Sequence, residues 1–200
     1  MPSPSKPATD PSAAASLSGE VLVCVCGGIA ACKTAMLVSA LVQRGCAVTV
    51  AMTRAARRFV GPATFQALTG RSVHTSLWRD AAPDEIPHLK LTERADLLLV
   101  APATANIIGK LAGGIADDLV STLLLGSACP IMMAPAMNER MWAHPAVQRN
   151  VDWLGKCGVA FVGPGEGWQA CRAVGPGRMA EPDELLAAVA ARLAAGARRG

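Results

Sequence analysis

The sequence predicts a doubly wound α/β fold: a parallel sheet, Rossmann-like or flavodoxin-like, with helices on both faces. Three observations carry that expectation. Short runs that are apolar at every position recur from residue 21 onward. Each is followed by a stretch of helical periodicity, and glycine, proline or a small polar residue closes the run. A strand that is apolar on both faces has to be covered on both, and crossover helices on a parallel sheet do this. The bulk composition agrees, with 52% hydrophobic and 17% charged residues in 200. That is enough chain for one domain with a substantial core, and it excludes a largely disordered polypeptide.

The elements follow in order. VLVCVC (21–26) is the first expected strand and ends at Gly27-Gly28. Residues 29–45 carry apolar side chains at helical spacing and stop at Gly45, a C-cap signal. CAVTVAM (46–52) reads as the second strand, and 55–70 as a broken helical stretch ending at Gly70. ADLLLVAPAT (95–104) is the third strand, followed by two helical pieces parted by Gly113-Gly114. CPIMMAP (129–135) is the fourth strand, with a helix over 144–158, and VAFVGP (159–164) is the fifth. Residues 181–200 form a last amphipathic helix with acidic residues in its first turn.

Several function classes are not expected. Residues 1–19 are rich in Pro, Ser and Ala and lack the apolar core of roughly 7 to 15 residues that a signal peptide needs. They are expected to be a disordered leader, with the domain over 20–195 and a flexible tail over 196–200. No run of about 18 apolar residues suggests a membrane span. The net charge is +4, but no Lys/Arg stripe is interleaved with aromatics, so no nucleic-acid partner is expected. The seven cysteines are odd in number and several lie in apolar runs, the pattern of reduced, buried thiols in a cytoplasmic protein. Cys24 and Cys26 are expected on opposite faces of the sheet, and the three histidines are scattered, so no metal site is expected.

In an open parallel sheet, ligands bind beyond the carboxyl ends of the strands. Gly27-Gly28, Thr53, 102–106, 135–138 and 163–167 fall at those ends and should converge on one rim. Gly27-Gly28 precedes a helix, where close backbone approach and free N–H groups suit an anion such as phosphate; glycine there also serves plain packing. The second strand ends in Thr53-Arg54 rather than in an acidic residue that would hold a ribose, so a mononucleotide phosphate fits better than a dinucleotide. Thr104 and Asn106 open a helix, where such residues ordinarily serve as N-caps. Lys33 reads as a solvated side chain.

Four segments then carry a resemblance: CGGIAACK (26–33), RADLLLVAPATANIIGKLAGGIADDLVSTLLL (94–125), MMAPAMNERMW (132–142) and GWQACRAVGPGRMAEPDEL (167–185). Together they resemble, in this order, the homo-oligomeric flavin-containing cysteine decarboxylases. The resemblance implies FMN as cofactor, in a homotrimer or dodecamer with the site at a subunit contact. It places Gly27, Gly28, Ile29, Thr53, Arg54, Thr104, Ala105, Asn106 and Ala136 on FMN. It implies decarboxylation of 4'-phosphopantothenoylcysteine to 4'-phosphopantetheine, a step of coenzyme A synthesis. The chemistry explains the need for a flavin: a cysteine carboxylate that loses CO2 leaves a carbanion with nothing to delocalise it. Oxidation of CH2–SH to a thioaldehyde puts an electron sink beta to the carboxylate, and the ene-thiol formed on decarboxylation is then reduced.

Within that resemblance, His88 in IPHLKL (86–91), a loop before the third strand, is the catalytic base, with a side chain that titrates near neutral pH. Cys171 lies in a long irregular segment that reads as a substrate-covering flap, and is the acid that protonates the ene-thiol. Asn138, Met137, Ala170, Arg178 and Met179 are the substrate-binding residues, with Met141 and Trp142 walling the pocket. Asn138 could equally cap the helix that follows it. Arg172 stands where the family usually has glycine. Two other activities compete: oxidative decarboxylation of peptidyl cysteine, against which Cys171 argues, and a non-catalytic FMN-binding regulatory subunit, against which His88 and Cys171 argue.

Overall fold

The structure is a computed structural model and describes residues 16–78, 87–168, 172 and 174–196, with only the backbone of 87–89. Among these, eight strands and eight α-helices alternate. They are β1 (Glu20–Val25), α1 (Ala31–Gln43), β2 (Ala47–Met52), α2 (Pro62–Thr69), β3 (Val73–His74), α3 (Pro87–Arg94), β4 (Leu97–Ala103) and α4 (Ala105–Ala112), and then α5 (Leu119–Leu125), β5 (Ile131–Pro135), α6 (Glu139–Trp142), α7 (Pro145–Lys156), β6 (Ala160–Phe161), β7 (Gly165–Trp168), β8 (Val174–Arg178) and α8 (Pro182–Gly196). Six strands form one parallel sheet in the order β3-β2-β1-β4-β5-β6, and β7-β8 form a separate antiparallel hairpin. The fold is doubly wound α/β, with the strand order of a Rossmann sheet.

The two-residue period of the strands sorts the core into two layers. Val21, Val23 and Val25 of β1 face one side, with Leu97 and Leu99 of β4, and meet Leu37, Val38 and Leu41 of α1, Phe65 of α2 and Leu185, Val189 and Leu193 of α8. Leu22, Cys24, Leu98 and Val100 face the other side, against Ile107 and Ile108 of α4, Leu123 and Leu124 of α5 and Leu154 of α7. Cys24 and Cys26 therefore share one face, because residues two apart on a strand point the same way; the expectation of opposite faces is corrected. Both are fully buried, and burial, followed for Cys26 by the charge of Asp118, pushes the Cys26 thiol up to about 12. Cys24 is raised as well, by burial first and then by Cys26. No cluster of three or more His, Cys, Asp or Glu side chains suited to a metal occurs among the described residues.

Helix ends are where the sequence said they would be. Gly45 (φ 81°) and Gly158 (φ 91°) adopt the left-handed backbone that glycine alone takes without strain. After each, the next residue's N–H returns to the third-last helical carbonyl: Cys46 to Leu41 O at 3.1 Å, and Val159 to Leu154 O at 3.0 Å. N-terminal to β1, the Leu17 N–H donates to Arg44 O at 2.8 Å, beside the end of α1.

Three parts differ from expectation. The sheet has a sixth, edge strand, β3, which is only two residues long and so offers no period to read. IPHLKL is not a loop throughout, because Pro87–Arg94 is helical. The glycine-rich segment before the last helix is partly ordered as the β7-β8 hairpin.

Candidate active site

The loops leaving β1, β2, β4 and β5 meet at the carboxyl edge of the sheet, and the β7-β8 hairpin stands beside them. They enclose one cavity of about 1010 Å3. Every candidate cofactor residue lines it: Gly27, Gly28, Ile29, Thr53, Arg54, Thr104, Ala105, Asn106 and Ala136. So do Met137, Asn138, Arg178 and Met179 of the candidate substrate residues. Met141 also lines it, but Trp142 does not; that ring belongs to the turn whose Trp142 carbonyl accepts from Gln148 Nε2 at 2.6 Å. Ala170 and Cys171 lie outside the described residues. His88 falls in the first turn of α3, with its side chain outside them.

Local chemistry explains how each loop is held. Gly27 is required by packing: a Cβ there would stand 2.4 Å from Ala55 Cβ, on the loop after β2. Gly28 is not, since its nearest neighbour would be Pro102 Cγ at 3.8 Å. The N–H groups of Gly28, Ile29 and Ala30, just before α1, make no hydrogen bond to another described residue. A cradle of unspent amides at a helix N-terminus, on a cavity wall, suits an anion. Thr53 is tied to the strand beside it, its N–H donating to Val25 O at 3.0 Å, while its Oγ1 accepts from Ala56 N at 3.2 Å.

Thr104 and Asn138 both act as N-caps while facing the cavity. Thr104 Oγ1 accepts from Ile107 N at 3.4 Å, and Asn138 Oδ1 accepts from Arg140 N at 2.8 Å. The Asn138 side-chain carbonyl oxygen is thus spent on capping α6. The hairpin is joined to this loop by the Met137 N–H, which donates to Gly177 O at 2.9 Å. His144 is structural, its Nδ1 accepting from Ala146 N at 3.2 Å at the start of α7.

Two charge clusters on the wall were not anticipated. Lys110 on α4 reaches Asp117 Oδ1 at 2.5 Å and Asp118 Oδ2 at 2.6 Å. Burial works to lower the Lys110 pKa and to raise that of Asp118; the hydrogen bonds between them, helped by Ser121 on the Asp118 side, outweigh it, so lysine goes up and aspartate down. Asp118 also caps α5 in a reciprocal pair with Ser121, at 2.9 Å and 3.0 Å. The capping part was legible as Asp-x-x-Ser before an apolar run. In the second, Glu181 Oε1 accepts from two lining residues, from Lys33 Nζ at 2.7 Å and from Arg178 Nη2 at 2.8 Å. The Lys33 hydrogen bond is the main cause that holds the Glu181 carboxyl below its usual range. Lys33, expected to be solvated, is therefore part of the cavity. A smaller cavity of about 360 Å3 adjoins, sharing Thr53, Arg54 and Asp118.

A family model described as Flavoprotein matches residues 11–194. The Coenzyme A biosynthesis bifunctional protein CoaBC of Bacillus subtilis is 51% identical over 166 residues, covering 83% of this chain and 41% of the relative. The CoaBC protein of Vibrio cholerae is 47% identical over 173 residues, covering 86% and 43%. The chain therefore spans about two-fifths of the length of these curated relatives. Among solved structures, a mutant PPC decarboxylase complexed with pantothenoylaminoethenethiol superposes with a TM-score of 0.78 at 28% identity, over 86% of this chain and 96% of that one. The FMN-dependent cysteine decarboxylase SpaF superposes at 0.76 with 33% identity, over 90% and 97%.

Proposed function

The chain belongs to the flavoprotein family, and from that premise we propose that it carries out the FMN-dependent decarboxylation of 4'-phosphopantothenoylcysteine to 4'-phosphopantetheine in coenzyme A biosynthesis. The observation that carries this reading is the convergence on one cavity of thirteen residues that the resemblance assigns to cofactor and substrate. The relatives named for coenzyme A biosynthesis and the superposed PPC decarboxylase support the substrate.

The residues present fit FMN. The cavity is at the upper end of the roughly 300–1,000 Å3 usual for small-molecule and cofactor sites. The amide cradle at Gly28–Ala30, with Thr53 and Arg54, would hold the phosphate, and Thr104, Ala105, Asn106 and Ala136 would border the ring system. FMN, when bound, supplies the two-electron oxidation of the cysteine side chain and the electrons that return to complete the product.

The chain's own groups do the rest. Asn138, on the cavity wall, orients the substrate carboxylate. Met137, Met141 and Met179 present apolar surface, which strips water from that carboxylate and favours release of neutral CO2. His88 takes the thiol proton during oxidation, and Cys171 protonates the ene-thiol during reduction. Exposed apolar side chains, Ile29 and Met36 at 64% and Trp153 at 56%, support a homo-oligomer, trimer or dodecamer, with the FMN site at the subunit contact. The odd number of cysteines, several of them in apolar runs, supports the cytoplasm. Among the described residues no helix is long and apolar enough to cross a membrane.

The test is to incubate the purified yellow protein with 4'-phosphopantothenoylcysteine and follow CO2 and product mass. Phosphopantetheine supports the reading. A product two hydrogens lighter would assign the chain to oxidative decarboxylation, and absence of turnover would leave it a binding role.

A further inference from the structure

We propose that the Lys33–Glu181–Arg178 cluster is the subsite for the phosphomonoester end of the substrate. The inference rests on the decarboxylase reading above. Lys33 comes from the first turn of α1, Arg178 from the last position of β8, and both line the main cavity. One carboxylate oxygen, Glu181 Oε1, holds both cations, at 2.7 Å and 2.8 Å. Two cations, from elements far apart in the chain, are thus brought side by side on the cavity wall, with Glu184 one turn further into α8 as the other carboxylate at hand. The contrast with Lys110 is direct, since two carboxylates hold that one.

The donors are there to be used. An ammonium has three and a guanidinium five, and Glu181 takes one from each. A phosphomonoester near neutral pH carries close to two negative charges on three acceptor oxygens, which suits an ammonium and a planar guanidinium side by side. Glu181 itself immediately precedes α8 and is pinned by its own N–H, which donates to Glu184 Oε2 at 2.8 Å. The cluster is thus preorganised by helix capping rather than assembled by the ligand.

Its position matches the shape of the substrate. The side chains of Lys33, Arg178 and Glu181 are 24%, 35% and 51% exposed, so the cluster lies on the solvated rim. In 4'-phosphopantothenoylcysteine the reacting cysteine and the phosphate are at opposite ends of an extended arm. A ligand with its carboxylate at Asn138 directs its other end outward. In the reading above, the amide cradle at Gly28–Ala30 with Thr53 and Arg54 is taken by the cofactor phosphate, which leaves the Lys33–Arg178 pair to the substrate.

The experiment compares ligands that differ only in that phosphate. Affinities of FMN-loaded protein for 4'-phosphopantetheine and pantetheine are measured for wild type, Lys33→Gln and Arg178→Gln, and affinities of apoprotein for FMN and riboflavin are measured in parallel. Wild type should favour the phosphorylated ligand, and each variant should cut that preference about tenfold, the usual scale of one charge-assisted hydrogen bond, while the FMN-to-riboflavin ratio stays. Both ratios are insensitive to the fraction of variant that folds. Equal weakening of both pantetheines would make the cluster structural and overturn the proposal. Loss of the FMN-to-riboflavin preference would give the cluster to the cofactor and overturn it too. So would a wild type indifferent to the pantetheine phosphate, and CO2 release from the substrate would then leave the decarboxylase reading standing.

Discussion

The glycine pair before α1 gives the sharpest separation of packing from ligand approach. In Gly27→Ala the new methyl would lie 2.4 Å from Ala55 Cβ and 3.0 Å from the Ala55 carbonyl carbon. Non-bonded carbons settle at about 3.5–4.0 Å, so the β1 and β2 loops have to part by about 1 Å. Two of the three atoms met are backbone, and Thr53 N–H is tied to Val25 O at 3.0 Å, so the strain cannot be shed by rotating a side chain. Overpacking of this kind costs about 1–3 kcal/mol. For a chain of this size that lowers the melting temperature by roughly 2–4 °C per kcal/mol, or about 4–8 °C at the middle of the range. Because Thr53 and Arg54 move with Ala55, FMN affinity should also fall by about tenfold. Gly28→Ala is the control. Its methyl meets only Pro102 Cγ at 3.8 Å, an ordinary contact, so the apoprotein should melt within about 1 °C of wild type. Its FMN affinity should still drop, since the methyl intrudes where the cradle needs close backbone approach. Differential scanning fluorimetry of the apoproteins and flavin-fluorescence quenching read the two quantities separately. An apoprotein Gly27→Ala that melts like wild type, or a Gly28→Ala destabilised as much as Gly27→Ala, would refute the reasoning.

Other consequences can be checked alongside. Asp118→Ala should destabilise by about 1–2 kcal/mol in urea, mostly through the lost α5 cap, since Asp117 still holds Lys110 and the partly exposed ion pair adds less than about 1 kcal/mol. Asp118→Asn keeps the cap and should cost less. Because contacts with Lys110 and Ser121 depress the folded Asp118 pKa against the pull of burial, its contribution is complete above the ordinary aspartate value of about 4 and drains as pH falls through the folded value. Stability measured between pH 6 and 3 should therefore fall less steeply in Asp118→Asn than in wild type. In a limited iodoacetamide pulse followed by peptide mass analysis, Cys32 and Cys157, which are exposed, should be modified before Cys24, Cys26 and Cys46, and bound FMN should slow Cys32, which lines the cavity. Finally, His88→Asn should abolish turnover while the protein stays yellow, and Cys171→Ser should release CO2 but accumulate the oxidised product. Colourless His88→Asn protein would make that residue structural, and a normal phosphopantetheine yield from Cys171→Ser would remove the acid from the mechanism.

Much of the fold was legible because burial on both faces leaves a plain signature: VLVCVC, ADLLLV and IMMAP contain no polar side chain that a sheet between two helix layers would have to bury unpaired, except the Asp96 carboxylate, which accepts from Glu20 N at 2.8 Å at the strand's start. What escaped was short or locally ambiguous. Val73–His74 is too brief for any period, and Pro87–Arg94 has too few apolar residues to distinguish a helix turn from a loop. The β7-β8 hairpin is rich in glycine (Gly165, Gly167, Gly175 and Gly177) and carries no apolar run, so its pairing is visible only in the backbone bonds. Cys24 and Cys26 were misassigned to opposite faces although the strand period alone decides the point.

For the site, the residue types at the strand ends were readable from sequence. Position along the chain could not tell which of them share a wall. Lys33 and Glu181 are 148 residues apart and meet only because α1 and α8 pack on the same face of the sheet, with β8 delivering Arg178 beside them. Periodicity is a property of neighbours a few residues apart, and it determined the strands, the helices and their ends. The strand order β3-β2-β1-β4-β5-β6 is a property of the whole chain, and it alone decided that the loops after β1, β2, β4 and β5 close around one cavity and which charges face each other across it.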